Sequence, residues 1–180
     1  HPLNVFLIAG YDYDIASIKG GKAPIYGTDV EGDEVNSEIL NSKEFQDQIN
    51  NTIPVSKING ADYDAIYYPG GFGLLSDLAT NETFAKLSAA HYEKGGVLGS
   101  VCHGPAGFLP IKLSNGESLI ANKTVTGFTR EEEIDFGSID DIPFLLEESL
   151  ARLATRYSKK QPWEEHVIDD ERVLSGRNLS

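Results

Sequence analysis

Two short apolar segments, each ending at a glycine-containing turn, constrain the fold of this chain most strongly. The first is 64–68, followed by Pro69-Gly70-Gly71, and the second is 97–101, followed by Cys102-His103-Gly104. Both have the length and apolar character of buried strands. The segment between them, 76–94, alternates polar and apolar residues at helical spacing and ends before a glycine pair. This order predicts parallel strands in an α/β fold, with helices covering both faces of the sheet.

Several other segments predict helices, strands or loops. They are the tail of a helix over 3–10 ending at a glycine, a strand over 11–17, a surface loop over 19–36, a helix over 41–50, the start of a helix over 104–109, one or two strands over 118–126, a helix over 142–157 and a hairpin over 166–175 that turns at 169–170. The chain shows no repeat and no interdomain linker, and 180 residues fit one compact domain, so we predict a single domain over 1–180. Chemistry in such sheets gathers at the carboxyl ends of the strands.

Composition excludes several function classes. With 28 acidic and 15 basic side chains the net charge is -13, so nucleic acid and anionic membrane surfaces are poor partners. The single cysteine excludes an internal disulfide and a multi-cysteine metal site. No histidine pair has zinc-ligand spacing and no phosphate loop or dinucleotide motif is present, so we predict neither a metal nor a cofactor. A lone cysteine fits a reducing compartment, and we predict a cytoplasmic protein.

Cys102 lies where a nucleophile elbow is expected, between a strand and the predicted helix start. Ser100 and Gly104, two residues before and after it, are small enough to let the backbone turn sharply. Amides at the start of the following helix would lower the pKa of the thiol, and the neighbouring His103 could exchange a proton with it. The alternative is a buried structural cysteine.

Two further groups would complete such a site. The N–H groups of Gly71 and His103 could form an oxyanion hole, although a glycine pair is also a simple tight turn. An acid is needed to orient His103, and Glu131, Glu132 and Glu133 all follow a predicted strand. Spacing does not choose among the three, and the alternative is a solvated acidic helix start.

The remaining histidines and the tryptophan have less specific surroundings. We predict that His91 and His166 are surface or hairpin residues and that Trp163, which follows Pro162, is a packing anchor near the hairpin.

The motifs at 68–73, 101–106 and 126–129 resemble the ThiJ/PfpI superfamily of class I glutamine-amidotransferase-like proteins. The segments at 144–148, 162–163 and 173–178 are similar to its heat-shock chaperone and glyoxalase III-like branch. The resemblance covers nearly the whole chain.

The resemblance implies a flavodoxin-like, three-layer α/β sandwich that is often a homodimer. It implies cofactor-independent conversion of the 2-oxoaldehyde methylglyoxal to D-lactate through a cysteine hemithioacetal, with holdase-type chaperone activity in some members. At the positions of this chain that match the family pattern, the resemblance implies that Cys102 is the nucleophile, His103 its partner and Glu133 the orienting acid. The oxyanion donors are the amides of Gly71 and His103.

The chain departs from the family pattern in two places. Phe72 stands where the family usually has a histidine, which predicts a more apolar pocket with Phe72 as a substrate contact. The His1-Pro2 start resembles a segment just after a family glutamate that hydrogen-bonds the thiol. We therefore expect that the first strand and this glutamate are missing here and that the native protein is longer.

Three functions follow as hypotheses. The first is a glutathione-independent glyoxalase. The second is a stress chaperone or redox sensor in which Cys102 is an oxidisable thiol. The third is a cysteine amidase or peptidase, because the same elbow serves acyl transfer.

Overall fold

The computed structural model describes residues 1–26 and 31–177. These residues form two compact units, His1–Ile58 and Asn59–Ser180, which are described separately; the single-domain organisation stays a prediction. Within the described ranges, no helix combines the length and apolar character needed to cross a bilayer.

Over residues 1–26 and 31–58, the first unit contains three α-helices, a short 3-10 helix (Val55–Lys57) and one small parallel sheet. Its elements are α1 (Pro2–Ile8), β1 (Ala16–Ser17), α2 (Glu34–Asn41), α3 (Lys43–Asn50) and β2 (Ile53–Pro54). The predicted helix tail is confirmed: Gly10 adopts a φ of +83° after α1, and the Tyr11 N–H donates to the Phe6 carbonyl at 3.0 Å. Of the predicted strand over 11–17, only β1 forms, because its partner β2 is itself two residues long.

The boundary between α2 and α3 was not predicted. Ser42 ends α2 in an extended conformation, and its hydroxyl accepts a hydrogen bond from the Phe45 N–H at 3.2 Å, which starts α3. α2 begins inside the segment predicted as a loop, and residues 27–30 of that loop lie outside the described residues.

The second unit carries the main sheet. Its elements are β3 (Ala65–Tyr68), α4 (Gly73–Ser76), α5 (Glu82–Glu93), β4 (Val97–Val101), β5 (Thr124–Val125), α6 (Arg130–Phe136), α7 (Leu146–Leu153), β6 (Arg156–Tyr157), β7 (Val167–Asp170) and β8 (Val173–Gly176). The sheet has the order β3-β4-β8-β7, with β7 antiparallel and the other pairs parallel, and β5 pairs with β6 in a separate parallel ladder. The predicted α/β class with mostly parallel strands is confirmed.

Two of the predicted helices are shorter in the structure, for different reasons. In 76–94, Asn81 caps α5 by accepting from the Phe84 N–H at 2.9 Å, so the helix starts only at Glu82. The helix predicted over 142–157 is limited to α7, because Leu145 before it is extended and Arg156–Tyr157 pairs with β5. The leucines Leu146 and Leu150, four residues apart on α7, are fully buried.

The predicted position of the hairpin turn was wrong, whereas the prediction of one or two strands over 118–126 is met by one strand. The hairpin turns at Glu171 and Arg172, since Asp169 and Asp170 belong to β7 and pair with β8. The Asp170 carboxylate accepts from the Thr124 N–H at 2.7 Å, which holds it in the sheet. Of the segment 118–126, only β5 is a strand, with an isolated bridge at Ser118.

The main core of this unit lies on one side of β3 and β4. Alternation along each strand sends Tyr68 and Leu98 into this core, where they join Phe108, Leu150 and Val173. Val101 and the partly buried Tyr67 belong to a second, smaller cluster with Cys102 and Phe128. The carboxyl ends of β3 and β4 are neighbours, since Tyr68 is in register with Ser100.

Candidate active site

The turn after β4 places Cys102 in a strained conformation. Its φ is +60°, a left-handed value that a residue with a Cβ rarely adopts. The turn is held from both sides, because the Cys102 N–H donates to the Gly176 carbonyl and the Cys102 carbonyl accepts from the Phe128 N–H, both at 2.9 Å. The predicted sharp turn is therefore present.

Glycines beside this turn allow the two strand ends to approach closely. A Cβ on Gly104 would lie 2.3 Å from the Tyr68 carbonyl oxygen, and one on Gly70 would lie 2.9 Å from the Cys102 Cβ. Both distances are too short for any side chain, so the sequence has to place glycine at these positions.

Three side chains form a hydrogen-bonded line at the turn. The Cys102 Sγ lies 3.2 Å from His103 Nδ1, and His103 Nε2 lies 2.7 Å from Glu133 Oε1. The Glu133 carboxylate accepts a hydrogen bond from the Nε2–H of His103. This fixes the tautomer in which Nδ1 carries no proton and can accept one from the thiol. All three side chains are buried. The structure thus brings together Cys102, His103 and Glu133, the residues that the resemblance assigns to catalysis.

The three neighbouring glutamates have different surroundings. Glu131 is exposed and bonds Lys159 at 2.9 Å, whereas Glu132 and Glu133 are buried. The interpretation as a solvated acidic helix start is therefore wrong for the last two. Gly137, with a φ of +79°, ends α6 and lets Ser138 turn back. The Ser138 hydroxyl donates a hydrogen bond to Glu133 Oε2.

Burial keeps both members of the Cys102–His103 pair neutral. Desolvation raises the pKa of the Cys102 thiol to about 11, although the N–H groups of His103 and Gly71, which face the sulfur, act in the opposite direction. Burial also lowers the pKa of His103, and its hydrogen bond to Glu133 opposes this only in part. The imidazole is thus a neutral base beside a protonated thiol.

The prediction of a thiol pKa lowered by a following helix was wrong. The segment after the turn is a five-residue 3-10 helix, Gly104–Phe108, and not an α-helix with a sizeable dipole. The surroundings of the sulfur are apolar, with Val101 and Phe128 packed against Cys102, and Glu132 and Glu133 add a negative field.

Phe72, predicted to contact the substrate, packs against the His103 ring. Its ring centroid is 4.7 Å from that of His103, and the Phe128 ring lies 4.4 Å from His103 on another side. Phe72 also contacts Phe136, at 5.6 Å. The surroundings of the imidazole are apolar, as the replacement of histidine by Phe72 predicts.

The DJ-1/PfpI family profile matches residues 1–138. This chain belongs to the DJ-1/PfpI family. Glyoxalase 3 of Candida albicans is 31% identical to it, over 99% of this chain and 80% of the relative. The glutathione-independent glyoxalase HSP31 of Saccharomyces cerevisiae is 30% identical, over 99% of this chain and 79% of the relative.

Solved structures give the same assignment to the DJ-1/PfpI family. The crystal structure of glyoxalase III from Candida albicans superposes with a TM-score of 0.88 at 30% identity, covering 99% of this chain and 79% of that one. The Rapid Encystment Protein 24 kDa of Francisella tularensis gives a TM-score of 0.89 at 32% identity, covering 98% and 80%. The sequence resemblance to the ThiJ/PfpI superfamily is therefore confirmed.

Sequence reasoning missed a buried network behind the site of this DJ-1/PfpI protein. Glu132 Oε2 accepts from the Thr129 N–H and hydroxyl, both at 2.9 Å, and Oε1 accepts from the Trp163 N–H at 2.9 Å. Oε1 also lies 3.4 Å from Arg177 Nε, close enough for an ion pair although no hydrogen bond forms from Nε. The Thr129-x-x-Glu132 spacing is a capping box that could have been recognised in the sequence.

Three predictions about single residues can also be compared with the structure. Trp163, predicted as a packing anchor, packs on Phe128 and Phe136. The prediction of a surface His91 was wrong: it is 3% exposed, and its Nδ1 lies 2.9 Å from the Gly60 carbonyl. His166 is half-buried at the start of the hairpin, with Nε2 2.9 Å from the Ser158 hydroxyl.

Among residues 1–26 and 31–177, no group of three or more His, Cys, Asp or Glu side chains could hold a metal ion. The chemistry that this site can support is nucleophilic attack by sulfur assisted by a neutral imidazole.

Proposed function

We propose that this protein is a glutathione-independent glyoxalase that converts methylglyoxal to D-lactate, with Cys102 as its nucleophile. The observation that carries the proposal is the hydrogen-bonded line from Cys102 Sγ through His103 to Glu133, at 3.2 and 2.7 Å. The names and full-length similarity of the glyoxalase relatives support it.

The first step is addition of the thiol to the aldehyde. His103 Nδ1 takes the Sγ proton while sulfur bonds to the aldehyde carbon, and the imidazolium returns the proton to the new oxyanion, giving a hemithioacetal. The buried Glu133 carboxylate stabilises the imidazolium during this exchange. The N–H groups of Gly71 and His103, which face the sulfur, would donate to the oxyanion.

The second step isomerises the bound substrate. A base removes the hydrogen from the former aldehyde carbon, an enediol forms, and a proton returns to the adjacent carbon, so that the adduct becomes a lactoyl thioester. We assign this transfer to His103 Nδ1, which lies beside the sulfur and thus beside the carbon bonded to it. No oxidant or reductant is consumed, since one carbon is oxidised as its neighbour is reduced.

The last step is hydrolysis. Water, deprotonated by His103, attacks the thioester carbon, the sulfur leaves, and the thiol recovers its proton. The sum is methylglyoxal plus water giving lactate.

The test is lactate formation from methylglyoxal without glutathione, with the product resolved into its two enantiomers. We expect D-lactate from the wild type and a loss of at least about 10³-fold in Cys102→Ala. Lactate at the uncatalysed rate would overturn the proposal, and hydrolysis of amide or peptide substrates in its place would favour an amidase.

A holdase-type chaperone is a second candidate. Several large apolar side chains of the first unit are exposed: Val5, Ile8, Tyr11 and Tyr26. Such surfaces bind unfolded chains. We expect equal suppression of client aggregation by wild type and Cys102→Ala, and weaker suppression by Val5→Ser/Ile8→Ser; no suppression at equimolar client would exclude this activity. A redox-sensing role is not supported, because the Cys102 thiol is buried and protonated.

A further inference from the structure

Four aromatic rings and His103 form a closed circuit of contacts beside the nucleophile. The centroid distances around it are Phe72 to His103 4.7 Å, Phe72 to Phe136 5.6 Å, Phe136 to Trp163 6.4 Å, Trp163 to Phe128 5.8 Å and Phe128 to His103 4.4 Å. Phe128 and His103 are buried and form the floor of this circuit. The other three rings form its rim, with exposed fractions of 39% for Phe72, 61% for Phe136 and 44% for Trp163.

A cleft of about 370 Å³ begins at this rim. Phe72, Phe136, Ile142 and Pro143 line the cleft, whereas Trp163 lies outside the lining and contacts it through Phe136. The cleft also reaches Ser138, whose hydroxyl bonds the Glu133 carboxylate, so it adjoins the catalytic line. A cavity of about 150 Å³ is sufficient to bind benzene, so this cleft has room for an aryl or branched alkyl group.

The charge around the cleft restricts what can bind there. Asp141 lines it, and Asp135 accepts the Trp163 Nε1 proton at 3.4 Å at the rim. Among the residues that the structure describes, the lining contains neither lysine nor arginine. An anionic substituent would be repelled and an apolar one favoured.

The rim is held in place before any ligand binds. The Trp163 N–H donates to the buried Glu132, and the Arg177 guanidinium donates to the carbonyls of Lys160, Gln161 and Glu164 on both sides of the tryptophan. A preorganised apolar wall binds a ligand with little loss of conformational entropy.

We propose that this aromatic cleft binds the substituent of the substrate carbonyl, so that the protein prefers 2-oxoaldehydes with an aryl or bulky alkyl group over methylglyoxal. This inference rests on the proposed function for its substrate class. Phe72 connects the cleft to the nucleophile: it lines the cleft, and its ring centroid lies 4.7 Å from that of His103, whose Nδ1 lies 3.2 Å from the Cys102 sulfur. A substituent in the cleft would therefore lie beside the Phe72 ring, with the aldehyde carbon directed toward Cys102.

The first test compares kcat/KM for phenylglyoxal, which gives mandelate, with kcat/KM for methylglyoxal. We expect the wild type to favour phenylglyoxal by about 10- to 100-fold, the range that small apolar groups produce in specificity. Phe136→Ala, which removes a ring that lines the cleft, should reduce this ratio at least several-fold. The control is Ile134→Ala, which removes an exposed side chain from the same helix and should leave the ratio unchanged.

A second test does not require turnover. Cys102 is the single cysteine, so its alkylation can be followed by intact mass. The quantity measured is the ratio of the iodoacetanilide rate to the iodoacetamide rate. We expect this ratio to be about 10-fold higher in the folded protein than in the urea-denatured chain, and Phe136→Ala to abolish the excess.

The two tests separate the two proposals. The aromatic cleft alone would be overturned if lactate forms, kcat/KM is equal for phenylglyoxal and methylglyoxal, and the alkylation ratio is equal in the folded protein and the denatured chain. Absence of lactate would overturn the proposed glyoxalase, and the alkylation ratio would then decide whether the cleft binds apolar groups.

Discussion

Arg177 Nε lies 3.4 Å from Glu132 Oε1 inside the protein, and both side chains are almost completely buried. This ion pair joins the strand end after β8 to the helix that carries Glu133. The Trp163 N–H donates to Glu132, and the carbonyls of Lys160 and Glu164 accept from Arg177, so the pair also fixes the segment 160–164.

Removing one partner of this pair should destabilise the fold. In Glu132→Gln the buried Arg177 charge is left unpaired, and we expect a loss of about 3–5 kcal/mol in the free energy of unfolding. The measurement is urea denaturation, with Glu131→Gln as the control, since its exposed ion pair with Lys159 should contribute less than about 1 kcal/mol. Equal effects of the two variants would contradict this assignment.

The reactivity of the Cys102 thiol should depend on pH in an unusual way. A raised pKa means that less thiolate is present at a given pH than in free cysteine, so the alkylation rate should keep rising above pH 9 and not level off near 8.5. The measurement is the pH dependence of the rate constant with iodoacetamide. The urea-denatured chain is the matched control and should show a midpoint near 8.5; a folded-state plateau below pH 8 would show that the thiol is ionised instead.

Ser138 should act as a positioning residue for Glu133. Ser138→Ala removes the hydrogen bond to Oε2 of a carboxylate, worth about 1.5–3 kcal/mol, and we expect kcat to fall about 10- to 100-fold with little change in KM. Ser138→Thr keeps the hydroxyl and should restore part of the rate. Ser114→Ala, which breaks a similar bond to the exposed Glu93, is the control; if it lowers kcat as much, the effect is not specific to Glu133.

Gly104 should tolerate no side chain. Gly104→Ala would place a Cβ 2.3 Å from the Tyr68 carbonyl oxygen, and we expect the free energy of unfolding to fall by at least about 3 kcal/mol. Gly73→Ala is the control, because nothing lies within 4 Å of its added Cβ and it is in α4. Denaturation of both variants measures the difference, and a stable Gly104→Ala protein would contradict the close approach.

The parts of the fold that the sequence predicts well are those with local causes. The turn at Cys102 is specified by Gly104 and by the apolar strand before it, and the apolar face of α7 by the spacing of its leucines. The two-residue strands were missed or overextended because their pairing depends on distant partners, as Arg156–Tyr157 shows with β5.

The candidate site shows the same distinction between features with local causes and features that depend on distant residues. Spacing alone could not choose among three adjacent glutamates, because the choice depends on which faces of α6 point to His103 and to Arg177. The wrong prediction of the thiol pKa has the same origin, since Tyr67 and Phe128 come from separate parts of the chain to bury Cys102. This burial raises the pKa by more than the N–H groups of His103 and Gly71 lower it.

The central claim is that sulfur bonds covalently to the substrate. Acid-quenched intact mass of the protein during turnover of methylglyoxal tests it directly. We expect a species heavier than the free chain by one methylglyoxal molecule, located on the peptide that contains Cys102, present in wild type and absent in Cys102→Ser. Lactate accumulating while the chain stays unmodified, at a rate that Cys102→Ser retains, would contradict it.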